Sequence, residues 1–130
     1  MIAYKIIIQG KDMQTIIWHN PRCSKSREAV KISQEAGVES EIVKYLEANP
    51  RKEELKKVLK MLGFSSVREW MRTKEDIYKE LDLKNVTDEE ALLDAMVEHP
   101  KLIERPVIIK GEKAIIGRPT SIIEDFLKGA

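Results

Sequence analysis

Cys23, the only cysteine of the chain, lies in the stretch WHNPRCSKSRE, between an Asn-Pro turn and a run of helix-compatible residues. The β-branched segment QTIIW at residues 14–18 predicts a strand, which Pro21 prevents from continuing as a central strand. A helix is predicted to begin at Ser24, so Cys23 would lie where unpaired N–H groups and the helix dipole stabilise a negative charge. A lone cysteine is more often a small buried apolar residue, but this position favours a reactive thiolate.

Several neighbours of Cys23 are suited to activate its sulfur. Arg22, Lys25 and Arg27 would lower the pKa of the thiol wherever their side chains turn towards it. Ser26 follows in a C-x-x-S spacing, which places a hydroxyl on the same first helical turn, able to hydrogen-bond the sulfur. Because the chain has no second cysteine, an external thiol would have to resolve an oxidised Cys23.

Two Arg-Pro pairs suggest what this thiolate could act on. They lie in ERPV at residues 104–107 and in GRPT at residues 117–120, each at the edge of a predicted strand or helix. The planar guanidinium of arginine binds tetrahedral oxyanions through parallel hydrogen bonds, and proline fixes the backbone that carries it. Arg105 and Arg118 are therefore predicted to form an oxyanion site with Cys23.

The composition restricts the class of protein. The 130 residues are 42% hydrophobic and 35% charged, which suits one globular domain, and the net charge of +1 favours neither nucleic acid nor a membrane as a partner. A single cysteine cannot form an internal disulfide, and without a metal-ligand pattern no bound metal is expected. With no secretion signal and no apolar run of membrane-spanning length, we expect a cytoplasmic protein. We also expect a monomer.

The remaining pattern predicts the elements that position these residues. They are a first helix that ends before Gly37, a strand at residues 41–45, a helix between Pro50 and Gly63, a capping box at residues 87–90, a hairpin within residues 106–119 and a capping box formed by Ser121 and Glu124 before a final helix.

This order predicts an α/β fold class. It is a thioredoxin-like mixed four-stranded sheet with an all-helical insert, at about residues 51–98, between a β-α-β half and a β-β-α half. The single domain is predicted to span residues 14–130. Residues 1–13 are interpreted as an N-terminal extension, either non-native or an additional edge strand.

Several ordered motifs together resemble one family, the glutaredoxin-coupled arsenate reductases. The resemblance extends from about Gln14 to Leu127. The matching motifs are HNPRCSKSR at residues 19–27, YLE at 45–47, MLGF at 61–64, MRTKE at 71–75, HPKLIERPV at 99–107 and IGRP at 116–119.

The resemblance implies a reaction. In this family a cysteine that matches Cys23 attacks arsenate and forms a covalent arsenic–sulfur adduct, while arginines that match Arg72, Arg105 and Arg118 hold the oxyanion. Glutathione, a co-substrate and not a bound cofactor, then attacks the adduct, and glutaredoxin removes the glutathione as arsenite is released.

Three further residues take their expected roles from the same resemblance. His19 matches a histidine just upstream of the thiol, where it would tune the thiolate or simply cap the turn at the end of the strand. Asn20 would order the loop through its side-chain amide. Pro106 is similar to the proline that follows a cis peptide bond beside the thiol in thioredoxin-like folds.

Two other functions are compatible with the same fold. An Spx-like transcriptional regulator would bind RNA polymerase, although Ser26 stands where such proteins generally have the second cysteine of a disulfide switch. A glutathione-dependent thiol reductase would use the same cysteine on a substrate other than arsenate. The sequence favours arsenate reduction because the arginines accompany the cysteine.

Overall fold

A four-stranded mixed sheet lies at the centre of the protein. The structure is a computed structural model that describes residues 15–128, and the prediction made for residues 1–13 lies outside them. The strands are β1 (Thr15–Trp18), β2 (Ser40–Val43), β3 (Val107–Lys110) and β4 (Lys113–Ile116). Their order is β2-β1-β3-β4, with β2 parallel to β1 and the other neighbouring pairs antiparallel. The predicted thioredoxin-like sheet is confirmed.

Six α-helices surround this sheet in the part of the chain that the structure describes. They are α1 (Ser24–Glu35), α2 (Tyr45–Ala48), α3 (Lys52–Leu62), α4 (Asp76–Glu80), α5 (Glu89–Glu98) and α6 (Ile123–Leu127). Short 3₁₀ turns at Val67–Trp70, Leu83–Asn85, Pro100–Leu102 and Thr120–Ile122 complete the connections. The helices between β2 and β3 form the predicted helical insert.

The two central strands of the sheet, β1 and β3, are buried on both faces. Ile16 and Trp18 of β1 belong to a large apolar cluster with the helical insert, whereas Ile17 and Ile108 pack in a smaller cluster with α1 and α6. Successive strand residues point to opposite faces, so a strand covered on both sides needs apolar residues at every position. This explains why β1 appears in the sequence as a continuous apolar run.

Two predicted helices have the expected ends. α1 begins at Ser24 and ends shortly before Gly37, which has a positive φ of 73°. α3 lies between Pro50 and Gly63, whose φ is 75°. Glycine adopts this left-handed conformation without the steric cost that a side chain adds, so it ends helices readily.

The second strand is shorter than predicted. It ends at Val43, and Tyr45 begins α2 instead of extending the strand. The Tyr45 ring turns into the core and stacks on Trp18, with 6.2 Å between ring centroids. The apolar alternation at residues 41–45 therefore spans the end of β2 and the start of α2, which pack into the same core.

Both predicted capping boxes are wrong. α5 is capped by Asp88, whose side chain accepts a hydrogen bond from the N–H of Glu90 at 3.1 Å, and not by Thr87. Ser121 lies inside the 3₁₀ turn Thr120–Ile122, and no side-chain cap hydrogen bond forms at that turn or at α6. The sequence motif was present in each case, but the helix began at another residue.

Gly117 is packed too closely for a larger residue. A Cβ atom there would lie 3.0 Å from side-chain carbons of Ile108, Ile123 and Pro106. Since overpacking strains a close-packed core, we expect Gly117→Ala to lower the free energy of unfolding by about 1–3 kcal/mol. Urea denaturation followed by circular dichroism measures this change, with exposed Ser121→Ala as the control that should change it by less than about 0.5 kcal/mol. Equal stability of the two variants would contradict the prediction.

Candidate active site

The loop between β1 and α1 holds Cys23 at the N-terminus of a helix. Cys23 is the N-cap residue, has an extended backbone and is 7% exposed. The Asn20 side chain orders the loop, because its Oδ1 accepts a hydrogen bond from the N–H of Arg22 at 3.0 Å. The backbone carbonyl of Asn20 accepts a hydrogen bond from the N–H of Cys23 at 2.9 Å. The sulfur therefore lies beside the unpaired N–H groups of the first helical turn.

Ser26 is placed differently from the expectation. Its buried hydroxyl oxygen lies 2.6 Å from His19 Nδ1 and accepts a hydrogen bond from the N–H of Asn20 at 2.9 Å. The expected bond from this hydroxyl to the sulfur is not among the contacts of Ser26 within residues 15–128. Instead, the backbone N–H of Ser26 interacts with Cys23. Ser26 thus links the histidine to the loop that carries the thiol.

The register of the sheet brings both Arg-Pro pairs to the same edge as the reactive sulfur. Trp18, the last residue of β1, pairs with Val107, the first of β3, and Val107 pairs with Ile116, the last of β4. Arg105 precedes β3 and Arg118 follows β4. Residues that are far apart in sequence therefore meet where β1 ends.

Arg118 contacts the thiol directly. Its Nη2 donates a hydrogen bond to Cys23 Sγ at 3.5 Å, and its Nε donates to the carbonyl oxygen of Arg105 at 2.7 Å. The Arg105–Pro106 peptide bond is cis, as predicted for Pro106. The Arg118–Pro119 bond is also cis, which the sequence analysis did not predict.

Arg72 is brought to this edge from the helical insert. Met71 forms an isolated antiparallel bridge with Ile103, and the N–H of Arg72 donates to the carbonyl oxygen of Leu102 at 2.8 Å. The N–H of Glu104 in turn donates a hydrogen bond to the carbonyl oxygen of Trp70 at 3.0 Å. This short pairing places the Arg72 side chain next to Glu104.

Glu104 joins two of the three arginines. Its Oε1 lies 3.7 Å from Arg72 Nη1 and 3.6 Å from Arg118 Nε. Glu75 pairs with Arg72 as well, at 3.2 Å from Nε. Arg118 thus reaches the sulfur itself, whereas Arg72 is connected to it through Glu104 and Arg118.

Two buried guanidinium nitrogens of the cluster have no hydrogen-bond acceptor among residues 15–128. They are Arg72 Nη1, which is too far from Glu104 for a hydrogen bond, and Arg105 Nε. The buried hydroxyl of Tyr45 is also without a hydrogen-bond partner. A buried polar group left unpaired costs about 1–3 kcal/mol. A ligand that brought several oxygen acceptors would remove this cost.

The environment of Cys23 favours the thiolate. Burial alone would raise the pKa of the thiol, but hydrogen bonding from the backbone N–H of Ser26, the hydrogen bond and charge of Arg105, and the backbone N–H of Lys25 outweigh it. The pKa of Cys23 is therefore lowered from its ordinary value. The decisive cation is distant in sequence, and the guanidinium of neighbouring Arg27 instead donates to the carbonyl of Pro21 at 2.8 Å.

We expect this pKa shift to be visible in the alkylation of Cys23. The thiolate is the reactive form, so a lowered pKa moves the midpoint of the rate against pH below the ordinary thiol value of about 8.5. Arg105→Ala should move the midpoint back up, whereas Lys25→Ala should leave it unchanged because the backbone N–H remains. Iodoacetamide labelling followed by mass spectrometry gives the midpoints, and identical values for wild type and Arg105→Ala would contradict the prediction.

His19 is kept neutral near physiological pH. Burial lowers its pKa most, and the charges of Lys44 and Arg27 lower it further, whereas a hydrogen bond with the backbone of Ser26 raises it. A neutral ring allows Nδ1 to accept the Ser26 hydroxyl proton, since the Ser26 oxygen already accepts a hydrogen bond from the backbone. His19 therefore acts on the loop through Ser26.

Neither a metal-ligand cluster nor a membrane-spanning helix is found in the described part of the chain. Between residues 15 and 128, no three His, Cys, Asp or Glu side chains are grouped as metal ligands. Nor does any helix in that range have both the length and the apolar composition needed to cross a bilayer.

Comparison with known proteins identifies the family of the chain. The sequence model of the ArsC family matches residues 18–126. The chain belongs to the ArsC family. It is 54% identical over 107 residues to the uncharacterised Escherichia coli (strain K12) protein YfgD, covering 82% of this chain and 90% of that protein. It is 49% identical over 112 residues to an arsenate reductase of Neisseria meningitidis, and the match covers 85% of this chain and 96% of that protein.

A solved ArsC structure extends the similarity to three dimensions. The arsenate reductase from Vibrio cholerae superposes with a TM-score of 0.84 at 44% identity, covering 88% of this chain and 98% of that one. The predicted resemblance to arsenate reductases is thus confirmed at the level of the ArsC family.

Glu75, Glu104 and Tyr45 were missed as site residues. Glu75 had a local signal, because it follows Arg72 at the i,i+3 spacing of an ion pair. Glu104 directly precedes Arg105, but its pairing with Arg72 and Arg118 depends on tertiary contacts. Tyr45 lies in a motif that supported the resemblance, although nothing in its sequence context distinguished a site residue from a core aromatic.

Proposed function

We propose that this protein reduces arsenate to arsenite through a covalent adduct on Cys23. The observation that carries the proposal is the meeting of a thiol of lowered pKa with Arg118, which contacts its sulfur, and with unpaired guanidinium nitrogens of Arg72 and Arg105. Relatives with about half of the aligned residues identical are arsenate reductases, which supports arsenate as the oxyanion.

In the first step the Cys23 thiolate attacks arsenic. A sulfur–arsenic bond forms, and one arsenate oxygen takes up protons and leaves as water. The arginine cluster neutralises the oxyanion before attack and stabilises the charge that develops on its oxygens. Because the guanidinium groups of Arg72 and Arg118 are already held by Glu104, Glu75 and the Arg105 carbonyl, these two need little reorganisation during the reaction.

The electrons for the reduction come from thiols. Arsenic gains two electrons in passing from arsenate to arsenite, and two thiols supply them as they join in a disulfide. The sequence contains a single cysteine, so at least one of these thiols is external. We propose that glutathione attacks the adduct and that glutaredoxin then removes the glutathione. This chemistry needs a compartment that contains reduced glutathione, in keeping with the predicted cytoplasmic location.

A coupled assay tests both parts of the proposal. NADPH oxidation is followed with arsenate, glutathione, glutaredoxin and glutathione reductase, and then with a thioredoxin system in place of glutathione and glutaredoxin. Arsenate-dependent oxidation only in the first mixture is the expected result. Turnover only with thioredoxin would overturn the glutathione step, and no turnover in either mixture would overturn arsenate reduction. Glutathione-dependent turnover of a disulfide substrate alone would favour a thiol reductase.

A further inference from the structure

A cavity of about 480 Å³ opens beside the loop that carries Cys23, above the carboxyl ends of β1 and β2. The two strands are parallel and Trp18 pairs with Val43, so the loop after β1 lies next to the start of α2. The N–H of His19 donates to the carbonyl oxygen of Val43 at 2.7 Å and holds the two segments together. Arg105, which lowers the pKa of Cys23, lies in the cavity wall. The cavity thus adjoins the loop that carries the reacting sulfur.

Apart from Glu75, which pairs with Arg72, the charged groups on this wall form no ion pair within residues 15–128. Arg22, Lys44 and Lys101 are exposed there, and none of them forms an ion pair within the part of the chain that the structure describes. The carboxylate of Glu47, on the first turn of α2, is likewise outside every ion pair found between residues 15 and 128. The wall therefore offers several cations and one carboxylate to a ligand.

We propose that this cavity is the docking site for glutathione, with its carboxylates on Lys44, Lys101 and Arg22 and its ammonium group on Glu47. The proposal rests on the use of glutathione proposed above. It adds the cavity in which glutathione binds and the side chains that contact it. A cavity of this size lies within the range of about 300–1,000 Å³ that is typical of small-molecule sites. Glutathione is a zwitterion with net negative charge, which complements a wall with more cations than carboxylates.

The position of the wall also suits the chemistry. Arg22 directly precedes Cys23, and Lys44 follows the strand that pairs with β1, so a peptide held between them keeps its thiol near the sulfur. Tyr45 lines the same cavity, and its unpartnered hydroxyl offers a further donor. Arg105 is shared by the cavity and the arginine cluster, which places the incoming thiol next to the bound oxyanion.

Thiol–disulfide exchange without arsenate tests the site. The Cys23 thiolate attacks glutathione disulfide, forms a mixed disulfide with one glutathione and releases the other as a thiolate. We expect the double variant Lys44→Glu, Lys101→Glu to slow this exchange about tenfold. Its rate with neutral bis-hydroxyethyl disulfide should change by less than about twofold, because that reagent has no charge for the wall to recognise. Lys57→Glu, an exposed lysine of α3 outside the cavity, is the matched control and should alter neither rate.

A second variant separates docking from general attraction of anions. Glu47→Gln should slow exchange with glutathione disulfide but not with dithiodiglycolate, which is anionic and lacks an ammonium group. Equal effects of the lysine variant on charged and neutral disulfides, or no effect on either, would overturn the proposal. Circular dichroism of each variant verifies that it is folded.

The two proposals can fail separately. Selective exchange in a protein that does not reduce arsenate would leave the cavity assignment in place and overturn the proposed function. Arsenate turnover with an unchanged KM for glutathione in the Lys44→Glu, Lys101→Glu variant would overturn the cavity assignment alone.

Discussion

Cys23→Ser is expected to lower the rate of arsenate reduction by about 10³-fold or more. A serine hydroxyl keeps the size of the side chain but is almost fully protonated near neutral pH, so the nucleophile is lost. The surrounding arginines remain, and Arg118 can still donate to an oxygen at this position. The coupled assay with glutathione and glutaredoxin measures the loss.

Binding of arsenate separates the chemical role of the thiol from a structural one. Titration calorimetry of Cys23→Ser with arsenate should still detect binding, because the guanidinium groups that hold the oxyanion are unchanged. Circular dichroism should match that of the wild-type protein. Substantial turnover by a folded Cys23→Ser protein would show that another group attacks arsenate.

The second large effect is expected at the arginines that flank the hairpin. Arg105→Ala and Arg118→Ala should each lower kcat/KM for arsenate by about 10²–10³-fold, the usual cost of removing one donor from a site that stabilises developing oxyanion charge. Arg118→Lys should recover only part of the loss, because an ammonium group keeps the charge without the planar pair of donors. Steady-state kinetics at saturating glutathione give these ratios.

A control at the other end of the same hairpin makes the arginine result specific. Lys113 is exposed at the start of β4, whereas Arg118 follows its end, so Lys113→Ala removes a positive charge without touching the site. We expect its kcat/KM for arsenate to stay within about twofold of wild type. Unchanged arsenate kinetics in both Arg105→Ala and Arg118→Ala would remove the argument for an oxyanion site.

Local rules of sequence were sufficient for most of the fold. The helix that begins at Ser24, the glycine that ends α3 and the hairpin of β3 and β4 depend on residues close together in the chain. The two predicted capping boxes were wrong because a motif of two residues does not determine where a helix starts. The predicted end of β2 was wrong because the position of Tyr45 is set by its packing against Trp18. The apolar alternation of the neighbouring residues does not show this contact.

The site was predicted less completely, for a physical reason. The reactive position of Cys23 follows from a strand, a turn and a helix that are contiguous, and so it was visible in the sequence. The groups that lower its pKa are not all contiguous: Arg105 approaches only because β3 pairs with β1. The Ser26 hydroxyl was assigned to the sulfur by spacing, whereas its orientation depends on His19 across the loop.

Glu104 is the carboxylate with which an anion entering the arginine cluster must compete. Its single carboxylate is shared between Arg72 and Arg118 at 3.7 and 3.6 Å, distances longer than the roughly 2.7–2.9 Å of a strong charge-assisted hydrogen bond. The carboxylate thus keeps the guanidinium groups in position while leaving donors unused. A halide or a simple carboxylate brings too little charge and too few acceptors to compete with it. A doubly charged tetrahedral oxyanion brings more of both, so we expect the cluster to prefer arsenate and phosphate to halides and simple carboxylates.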